Sequence, residues 1–271
     1  MKNKYEFKVT DFDCLQIFDC GQCFRWRDLG DGRWQGVVSG RIAAVRTENG
    51  ILYIEEEGAS DRSEEFWYNY FDLGTDYGAI KSELASRDAH LANAITYGEG
   101  IRILRQEPFE TLISFIISAN NNIPRIKGCI ENLCRSFGCK ISGDFYSFPT
   151  PEKLASLTAD DISDACHTGY RSPYIVQAAA QFIELGGSVE DPLSYMGVGP
   201  KVAACISLFT GNDTASFPVD VWVKRILNEL YFDHEPDKKE ISEFVEKTFG
   251  QFGGYAQQYL FYWRRIVDKN A

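Results

Sequence analysis

Residues Met196–Gly211, with the sequence MGVGPKVAACISLFTG, decide the fold. Gly197 and Gly199 predict a tight turn, because glycine adopts backbone angles that other residues avoid and leaves the peptide N–H groups uncovered. Pro200 stands where proline favours the first turn of a helix, and the apolar segment VAACISLF after it predicts a helix buried in a core. Together with the preceding DPLSY, the stretch predicts a helix, a hairpin and a second helix.

Amide groups at such a turn, and at the start of the following helix, form an anion site. A DNA phosphate suits this site, which needs no cluster of lysine or arginine. The alternative is a glycine loop that only joins two core helices.

Lys201 lies in the first turn of the predicted helix, where the helix dipole disfavours a cation by roughly 0.3–1 kcal/mol. Partial burial disfavours the ammonium form as well. An amine that is neutral part of the time is a nucleophile, and the apolar helix behind Lys201 favours this interpretation. The alternative is a solvated lysine that marks the helix start.

Asp220 is the one acidic residue of FPVDVW, residues 217–222, and it precedes the helical pattern VWVKRIL. A common role for such an aspartate is the N-cap of the next helix. A capping carboxylate can still present one oxygen to a site. If it lies near Lys201, we expect it to accept a proton or to stabilise a developing cation.

Composition limits the class of protein. The chain has 271 residues, 44% of them hydrophobic, so we expect one large domain or two modest ones with real cores. No run reaches the ~18–20 apolar residues of a membrane span. Acidic residues near the N-terminus stand where a signal peptide needs an apolar core, so we expect a cytoplasmic location and no membrane contact. Taken alone, a net charge of −11 argues against binding to nucleic acid, although a local basic or amide-rich face can bind DNA on an acidic protein.

The first part of the chain predicts strands and the rest predicts helices. Residues 33–58 contain β-branched and alternating runs separated by Ser39-Gly40 and Asn49-Gly50, and Asn-Gly is a strong hairpin-turn signal. We expect an α+β fold: an N-terminal antiparallel β-sheet domain with flanking helices over residues 1–100, and a mainly α-helical domain over residues 101–271, with the hairpin at about 190–210. Predicted helix starts are Ser63, Pro108, Thr150-Pro151, Ser172-Pro173, Pro236 and the residue after Gly254.

The eight cysteines predict reduced, structural thiols. Cys20 and Cys23 form a C-x-x-C pair, but neither a second pair nor a histidine pair follows at zinc spacing. We therefore expect no metal site.

The chain resembles, over nearly its whole length, the bacterial-type 8-oxoguanine DNA glycosylase/AP lyases of the helix-hairpin-helix DNA glycosylase superfamily, and six segments carry the resemblance. The most specific parts are GQCFRW, the asparagine triplet and KVAAC. The segments are GQCFRWRD (21–28), FETLISFIISANNNIPRI (109–126), GYR (169–171), GVGPKVAAC (197–205), FPVDVW (217–222) and GGYAQQYLF (253–261).

The resemblance implies a DNA repair enzyme that flips a damaged base out of the duplex. Lys201 would attack C1′ of the deoxyribose and displace the base, and a Schiff base would then allow β-elimination to nick the strand. Asp220 would stabilise the sugar, which is oxocarbenium-like as its bond to the base breaks.

The resemblance also implies a base pocket. The carbonyl of Gly21 would accept a hydrogen bond from N7–H, which 8-oxoguanine has and guanine lacks. Cys205 and Phe261 would lie on the two faces of the base. Gln257 would form hydrogen bonds with the Watson–Crick edge of the base. Taken singly, these residues also fit a turn glycine, ordinary core packing and a solvated glutamine. Trp222 stands where well-known members carry a histidine near the substrate phosphate, and it would wall the pocket instead.

Further residues are implied to contact DNA, with 8-oxoguanine opposite cytosine as the expected lesion pair. Asn120 would fill the hole in the duplex, Tyr170 would wedge the base stack, and Arg125 and Arg171 would bond the unpaired cytosine. Their plainer roles are a helix end and surface charge. The hairpin residues implied to hold the DNA backbone are Gly197, Gly199 and Val202.

No cysteine follows Cys205, so the iron–sulfur loop of the endonuclease III relatives is missing, and we expect no cofactor. We expect a monomer, associated with the nucleoid if the source is bacterial. Three alternatives remain: a glycosylase for another damaged base, a non-catalytic helix-hairpin-helix DNA-binding protein, and a structural or protein-interaction domain.

Overall fold

The computed structural model describes residues 2–57 and 62–270. Five antiparallel strands form one sheet in the order β1-β5-β4-β3-β2. Two tight turns set its register. Ser39 and Gly40 have φ of 48° and 76°, and Asn49 and Gly50 have φ of 52° and 73°, which are the positive angles of two-residue hairpins. The predicted sheet is confirmed, although Gly58, the last residue of the predicted strand region, lies outside the described residues. The strands are β1 Lys2–Lys8, β2 Trp26–Asp28, β3 Trp34–Val38, β4 Arg41–Glu48 and β5 Ile51–Glu57.

Helices make up most of the remaining chain, as predicted. They are α1 Cys14–Phe18, α2 Ser63–Tyr70, α3 Tyr77–Arg87, α4 Ala89–Tyr97, α5 Pro108–Ser118, α6 Ile123–Phe137, α7 Pro151–Ala155, α8 Ala159–Cys166, α9 Ser172–Glu184, α10 Pro200–Thr210, α11 Val221–Tyr231, α12 Lys238–Thr248 and α13 Gly253–Asn270. A two-stranded ribbon, β6 Lys140–Ser142 and β7 Phe145–Tyr146, follows α6, and single 3-10 turns lie at Gly169–Arg171, Pro192–Ser194 and Gly250–Phe252. None of the helices in the described ranges is long and apolar enough to cross a membrane.

Two hydrophobic cores organise these elements. The sheet packs on α1 and α2 through aromatic side chains, with Phe18 stacked on Trp26 at a centroid distance of 4.3 Å and Trp67 fully buried. The helical core includes Cys20 and Phe24 and, from Tyr77 onward, side chains of α3 and α4. Helix α4 packs against α13, and the Tyr77 ring of α3 meets Tyr255 of α13 edge to face. The division into residues 1–100 and 101–271 stays a prediction; side chains from Tyr77 to Ile103 share the helical core.

Some predicted helix starts shift. Thr150 caps α7 by accepting a hydrogen bond from Lys153 N at 3.2 Å, as predicted. Ser172 does not cap α9, because a 3-10 turn precedes it and its hydroxyl donates to Gly169 O at 2.9 Å. Helix α12 begins at Lys238, after the cap Asp237, rather than at Pro236.

The segment before the hairpin also differs from the prediction. DPLSY forms only the 3-10 turn Pro192–Ser194, held by Ser194 N to Asp191 O at 3.2 Å and Tyr195 N to Pro192 O at 3.3 Å. Residues 191–195 form backbone hydrogen bonds between residues i and i+3, and this pattern is typical of short 3-10 segments. Helix α9 is therefore the α-helix that precedes the hairpin.

Candidate active site

The hairpin has the geometry of an open backbone turn. Gly197 has φ of +83°, and a Cβ built on it would lie 2.7 Å from Tyr174 Cβ, so both the backbone angle and the close packing require glycine. Gly199 is the N-cap of α10, and a Cβ on it would meet nothing within 4 Å. The start of α10 is therefore open on the side where Gly199 faces, which leaves room for an anion at its amides.

Lys201 extends from the first turn of α10 into a cavity. Val202, Cys205, Ile206 and Phe209 bury the opposite side of the helix in the core. Lys201 itself is half-buried, lines the cavity and places Nζ 5.5 Å from the centroid of the Phe115 ring. The packing of α10 thus fixes the stem of Lys201 and leaves its amine accessible.

Asp220 is the N-cap of α11, and its Oδ1 accepts a hydrogen bond from Val223 N at 2.8 Å. It lines the same cavity as Lys201. Both roles weighed for this residue are therefore compatible, since the cap uses one carboxylate oxygen. Burial raises the pKa of the Cys205 thiol, whereas the nearby Lys201 lowers it and the nearby Asp220 raises it. Cys205 is thus within electrostatic reach of both Lys201 and Asp220.

The cavity that holds Lys201 and Asp220 has a volume of about 1610 Å³. Its wall combines five parts of the chain that are distant in sequence. They are the loop after α1 (Gly21 and Phe24), the end of α5 with the turn to α6 (Phe115 and residues 118–123), the start of α10, residues 217–222 before and within α11, and the inner faces of α12 and α13.

Three of the five predicted base-pocket residues line this cavity: Gly21, Trp222 and Phe261. Gly21 has φ of +82°, and a Cβ on it would lie 3.5 Å from Phe261 Cε1, so the Gly21 backbone packs against the Phe261 ring. Trp222 is 47% exposed and carries the Arg225 guanidinium 5.3 Å from its ring centroid.

The other two, Cys205 and Gln257, are buried and are not among the residues that line the cavity. The plain interpretation of Gln257 as a solvated helix residue is wrong, because α13 packs this face into the core. Its Oε1 accepts a hydrogen bond from Gln258 Nε2 at 2.7 Å.

The asparagine triplet joins α5 to α6, and each of its three side chains has a different environment. Asn121 donates to Ile117 O at 3.2 Å and ends α5, while Asn122 caps α6 by accepting from Arg125 N at 3.0 Å. Asn120 has φ of +50° and is exposed. Its side chain makes no hydrogen bond with any residue in the ranges 2–57 and 62–270. Asn120 is therefore the member of the triplet that is presented to the outside.

Arg171 holds this turn in place. It is only 4% exposed, so the plain interpretation as a surface charge is wrong. Its guanidinium donates through Nε to Ala119 O at 2.8 Å and through Nη2 to Asn120 O at 2.9 Å. Tyr170, which is exposed, stacks beneath the guanidinium at 4.4 Å and donates its hydroxyl to Ala119 O at 3.3 Å. Arg125 is exposed on α6 beside the turn.

Comparisons with known proteins agree with this geometry. Residues 4–112 match the model of the 8-oxoguanine DNA glycosylase N-terminal domain, and residues 113–251 match that of the HhH-GPD superfamily of base excision DNA repair proteins. A structure of the Clostridium acetobutylicum 8-oxoguanine glycosylase/lyase, solved with double-stranded DNA containing cytosine opposite 8-oxoG, is 38% identical, covers 98% of each chain and has a TM-score of 0.90.

The chain belongs to the 8-oxoguanine DNA glycosylase family. A structure of MBOgg1 with a low-affinity DNA ligand is 40% identical to this glycosylase, with a TM-score of 0.91 and coverage of 98% and 96% of the two chains. The probable N-glycosylase/DNA lyase of Methanothermobacter thermautotrophicus is 29% identical over 93% of both chains. The family and the α+β fold are thus as predicted, and the prediction of an N-glycosylase with lyase activity is confirmed.

The wall residues of this glycosylase that sequence reasoning missed include Phe24, Phe115 and Arg265. Phe24 and Phe115 pack edge to face at a centroid distance of 5.6 Å beneath the cavity. Arg265 follows Phe261 by four residues on α13, so it lies on the same helix face, and this spacing is the signal that would have indicated a shared site. Among the described residues, no group of three or more His, Cys, Asp or Glu side chains could hold a metal ion.

Proposed function

We propose that this glycosylase excises 8-oxoguanine, paired with cytosine, from duplex DNA and then cleaves the strand by β-elimination. The observation that carries the proposal is that Lys201 and Asp220 line one open cavity together with Gly21 and Phe261. An amine and a carboxylate in a single pocket are what base displacement at a sugar carbon requires, because one attacks and the other stabilises positive charge.

The hairpin brings the substrate to this pocket. A phosphate bound at the amides beside Gly199 would place the neighbouring nucleotide next to Lys201, since both belong to the first turn of α10. The damaged nucleotide leaves the stack and enters the cavity, which costs a few kcal/mol of unstacking. Asn120, presented at the tip of the α5–α6 turn, fills the space that the nucleotide leaves.

The reaction proceeds by covalent attack. The lone pair of neutral Lys201 Nζ forms a bond to C1′ as the C1′–N9 bond breaks, and the base leaves with that electron pair and takes up a proton. Nζ loses one proton, the bond from C1′ to O4′ opens with protonation of O4′, and a protonated Schiff base joins Nζ to C1′. Loss of a proton from C2′ then expels the 3′ phosphate. The Asp220 carboxylate stabilises the positive charge that develops on the sugar.

Recognition of the base requires movement of buried side chains. Gly21 and Phe261 already line the cavity, whereas Gln257 is bonded to Gln258. We propose that Gln257 exchanges this bond for the Watson–Crick edge when the base enters, and that the base rests on Cys205 and Phe261, with Trp222 at the rim. Gly21 accepts from N7–H, and an undamaged guanine, which lacks that hydrogen, leaves the buried carbonyl unpaired.

Arg125, Arg171 and Tyr170 are proposed to contact the opposite cytosine from the α5–α6 side of the site. The guanidinium of Arg171 already donates to the carbonyls of Ala119, Asn120 and Thr168, and we propose that its remaining N–H group reaches the cytosine. We propose that the enzyme acts on chromosomal DNA, which in a bacterium lies in the cytoplasmic nucleoid.

Borohydride trapping on a duplex with one 8-oxoguanine opposite cytosine tests the proposal. We expect a covalent adduct with this duplex and none with the undamaged duplex. Lys201→Gln abolishes the adduct and the nick but leaves DNA binding. The matched control is Lys224→Gln, because Lys224 also lines the cavity but is paired with Glu235 at 2.6 Å. Trapping by Lys201→Gln would refute the assignment, and an adduct only with another damaged base would identify a different substrate.

A further inference from the structure

Arg265 contacts both sides of the proposed base pocket. It lies on α13, one turn after Phe261, and lines the cavity. Its guanidinium carbon is 5.9 Å from the centroid of the Phe261 ring. The side chain is 20% exposed, so it is shielded from solvent on most of its surface.

The same guanidinium reaches the loop that carries Gly21. Nη1 donates a hydrogen bond to the backbone oxygen of Asp19, and Nη2 lies 3.5 Å from the Asp19 carboxylate. Asp19 is the C-cap of α1 and precedes Gly21 by two residues. A planar guanidinium suits this contact, because it presents several N–H groups in a fixed geometry.

Phe261 packs against Gly21 and lies under Arg265. A Cβ on Gly21 would be 3.5 Å from Phe261 Cε1, the distance of ordinary van der Waals contact. The Asp19–Gly21 segment, the Phe261 ring and the Arg265 guanidinium therefore form one connected unit.

The other end of the loop has its own anchor. Gln22 is fully buried, donates to Arg102 O at 2.7 Å and accepts from Leu104 N at 2.8 Å. Gln22 thus fixes the loop to the chain that leads into α5. Arg265 supplies hydrogen bonds between the loop and the helix that carries Phe261.

We propose that Arg265 is a positioning residue that sets base discrimination by holding the Gly21 loop against Phe261. The inference rests on the proposed function, in which Gly21 and Phe261 contact the damaged base. Without the guanidinium, the loop keeps its Gln22 anchor and its packing on Phe261 but loses its hydrogen bonds to α13. The N7–H acceptor is then poorly placed, while the sugar chemistry at Lys201 is unaffected.

The test compares Arg265→Gln with Arg264→Gln. Arg264 is the adjacent residue on α13, is 21% exposed, and pairs with Glu229 at 2.7 Å and Asp268 at 3.0 Å, but it does not line the cavity. The two variants therefore remove arginines of similar exposure and pairing from one helix. Arg265→Lys keeps the charge and loses the guanidinium geometry.

The first measurement is single-turnover excision of 8-oxoguanine beside β-elimination at a preformed abasic site, which contains no base to recognise. We expect Arg265→Gln to slow excision about tenfold and to leave β-elimination within about twofold, with Arg264→Gln unchanged in both. Arg265→Lys is expected to recover only part of the excision rate. Equal slowing of both reactions, or equal behaviour of the two glutamine variants, would overturn the proposal.

The second measurement is hydrogen exchange of the free protein over residues 19–24, which needs no substrate. Faster exchange in Arg265→Gln than in Arg264→Gln is expected, because the tie to α13 is lost. Unchanged exchange refutes the loop contact. If the wild-type enzyme fails to excise 8-oxoguanine while exchange responds as expected, the proposed substrate is wrong and the contact itself stands.

Discussion

Asp220 shows how one side chain serves two purposes at the residue scale. Its carboxylate caps α11 and faces the cavity that contains Lys201. The sequence left these two roles open, because a cap and a catalytic carboxylate have the same local pattern. Only the approach of α10 to the start of α11 places both groups in one cavity.

Replacing Asp220 by Asn separates the two roles. Asparagine caps a helix about as well as aspartate, so the thermal stability should stay close to that of the wild type. The charge that stabilises the sugar is lost, and excision should slow by about 100-fold or more. Single-turnover kinetics with a melting curve check this expectation. A normal rate with normal stability would reduce Asp220 to a cap.

Alanine substitutions at the two glycines of the hairpin separate a structural role from a proposed DNA-binding role. Gly197→Ala places a methyl group 2.7 Å from Tyr174 Cβ at a φ of +83°. Strain at such an angle costs about 1–2 kcal/mol before the clash is counted, so the free energy of unfolding should fall by at least that amount. Denaturant unfolding measures the loss.

Gly199→Ala is the control, because its Cβ would meet nothing within 4 Å and its φ is −95°. It should fold as the wild type does but bind DNA more weakly, since the methyl group occupies the side that the phosphate approaches. Unchanged DNA affinity would place the phosphate elsewhere.

At the scale of elements, the α5–α6 turn depends on a contact from another part of the chain. Arg171, from the 3-10 turn before α9, bonds the carbonyls of Ala119 and Asn120. These carbonyls lie at the end of α5, where four backbone oxygens lack helical partners. This contact joins the GYR segment to the turn in which Asn120 has a φ of +50°.

The two arginines near this turn should therefore behave differently when changed. Arg125→Gln alters an exposed side chain and should weaken the preference for cytosine opposite the lesion, without loss of stability. Arg171→Gln leaves buried carbonyls without their donor, which costs about 1–3 kcal/mol for each such group. Excision rates opposite each of the four bases, with melting temperatures, distinguish the two. A preference unchanged in both variants would assign cytosine recognition to other residues.

At the scale of the whole molecule, a chain with a net charge of −11 acts on a polyanion. In the proposed complex, backbone amides at the start of α10 hold the DNA rather than a broad cationic face. Under this proposal, specificity depends on an inserted side chain and a pocket more than on long-range attraction.

Salt dependence of binding tests this view. Because each phosphate neutralised by a cationic side chain contributes about −0.9 to the slope of log K against log salt concentration, and amides contribute no charge, we expect a shallow slope of about −2 to −4. Titrations of a labelled abasic duplex at several salt concentrations give the value. A slope steeper than about −6 would indicate a cationic surface that the hairpin does not explain.

Local sequence patterns alone predict the sheet turns and the glycine hairpin. They also place Lys201 in the first turn of α10 and Asp220 at the start of α11, and they indicate the family. These features depend on local chemistry: backbone angles at Ser39-Gly40, Asn49-Gly50 and Gly197, a proline at a helix start, and short motifs of fixed spacing. The tertiary structure alone decided that Gln257 is buried against Gln258, that Arg171 bonds the Asn120 turn, and that Arg265 reaches Asp19. Those partners are 1, 51 and 246 residues apart. Even the neighbouring pair depends on which face of α13 the core covers, and the packing of distant elements sets this.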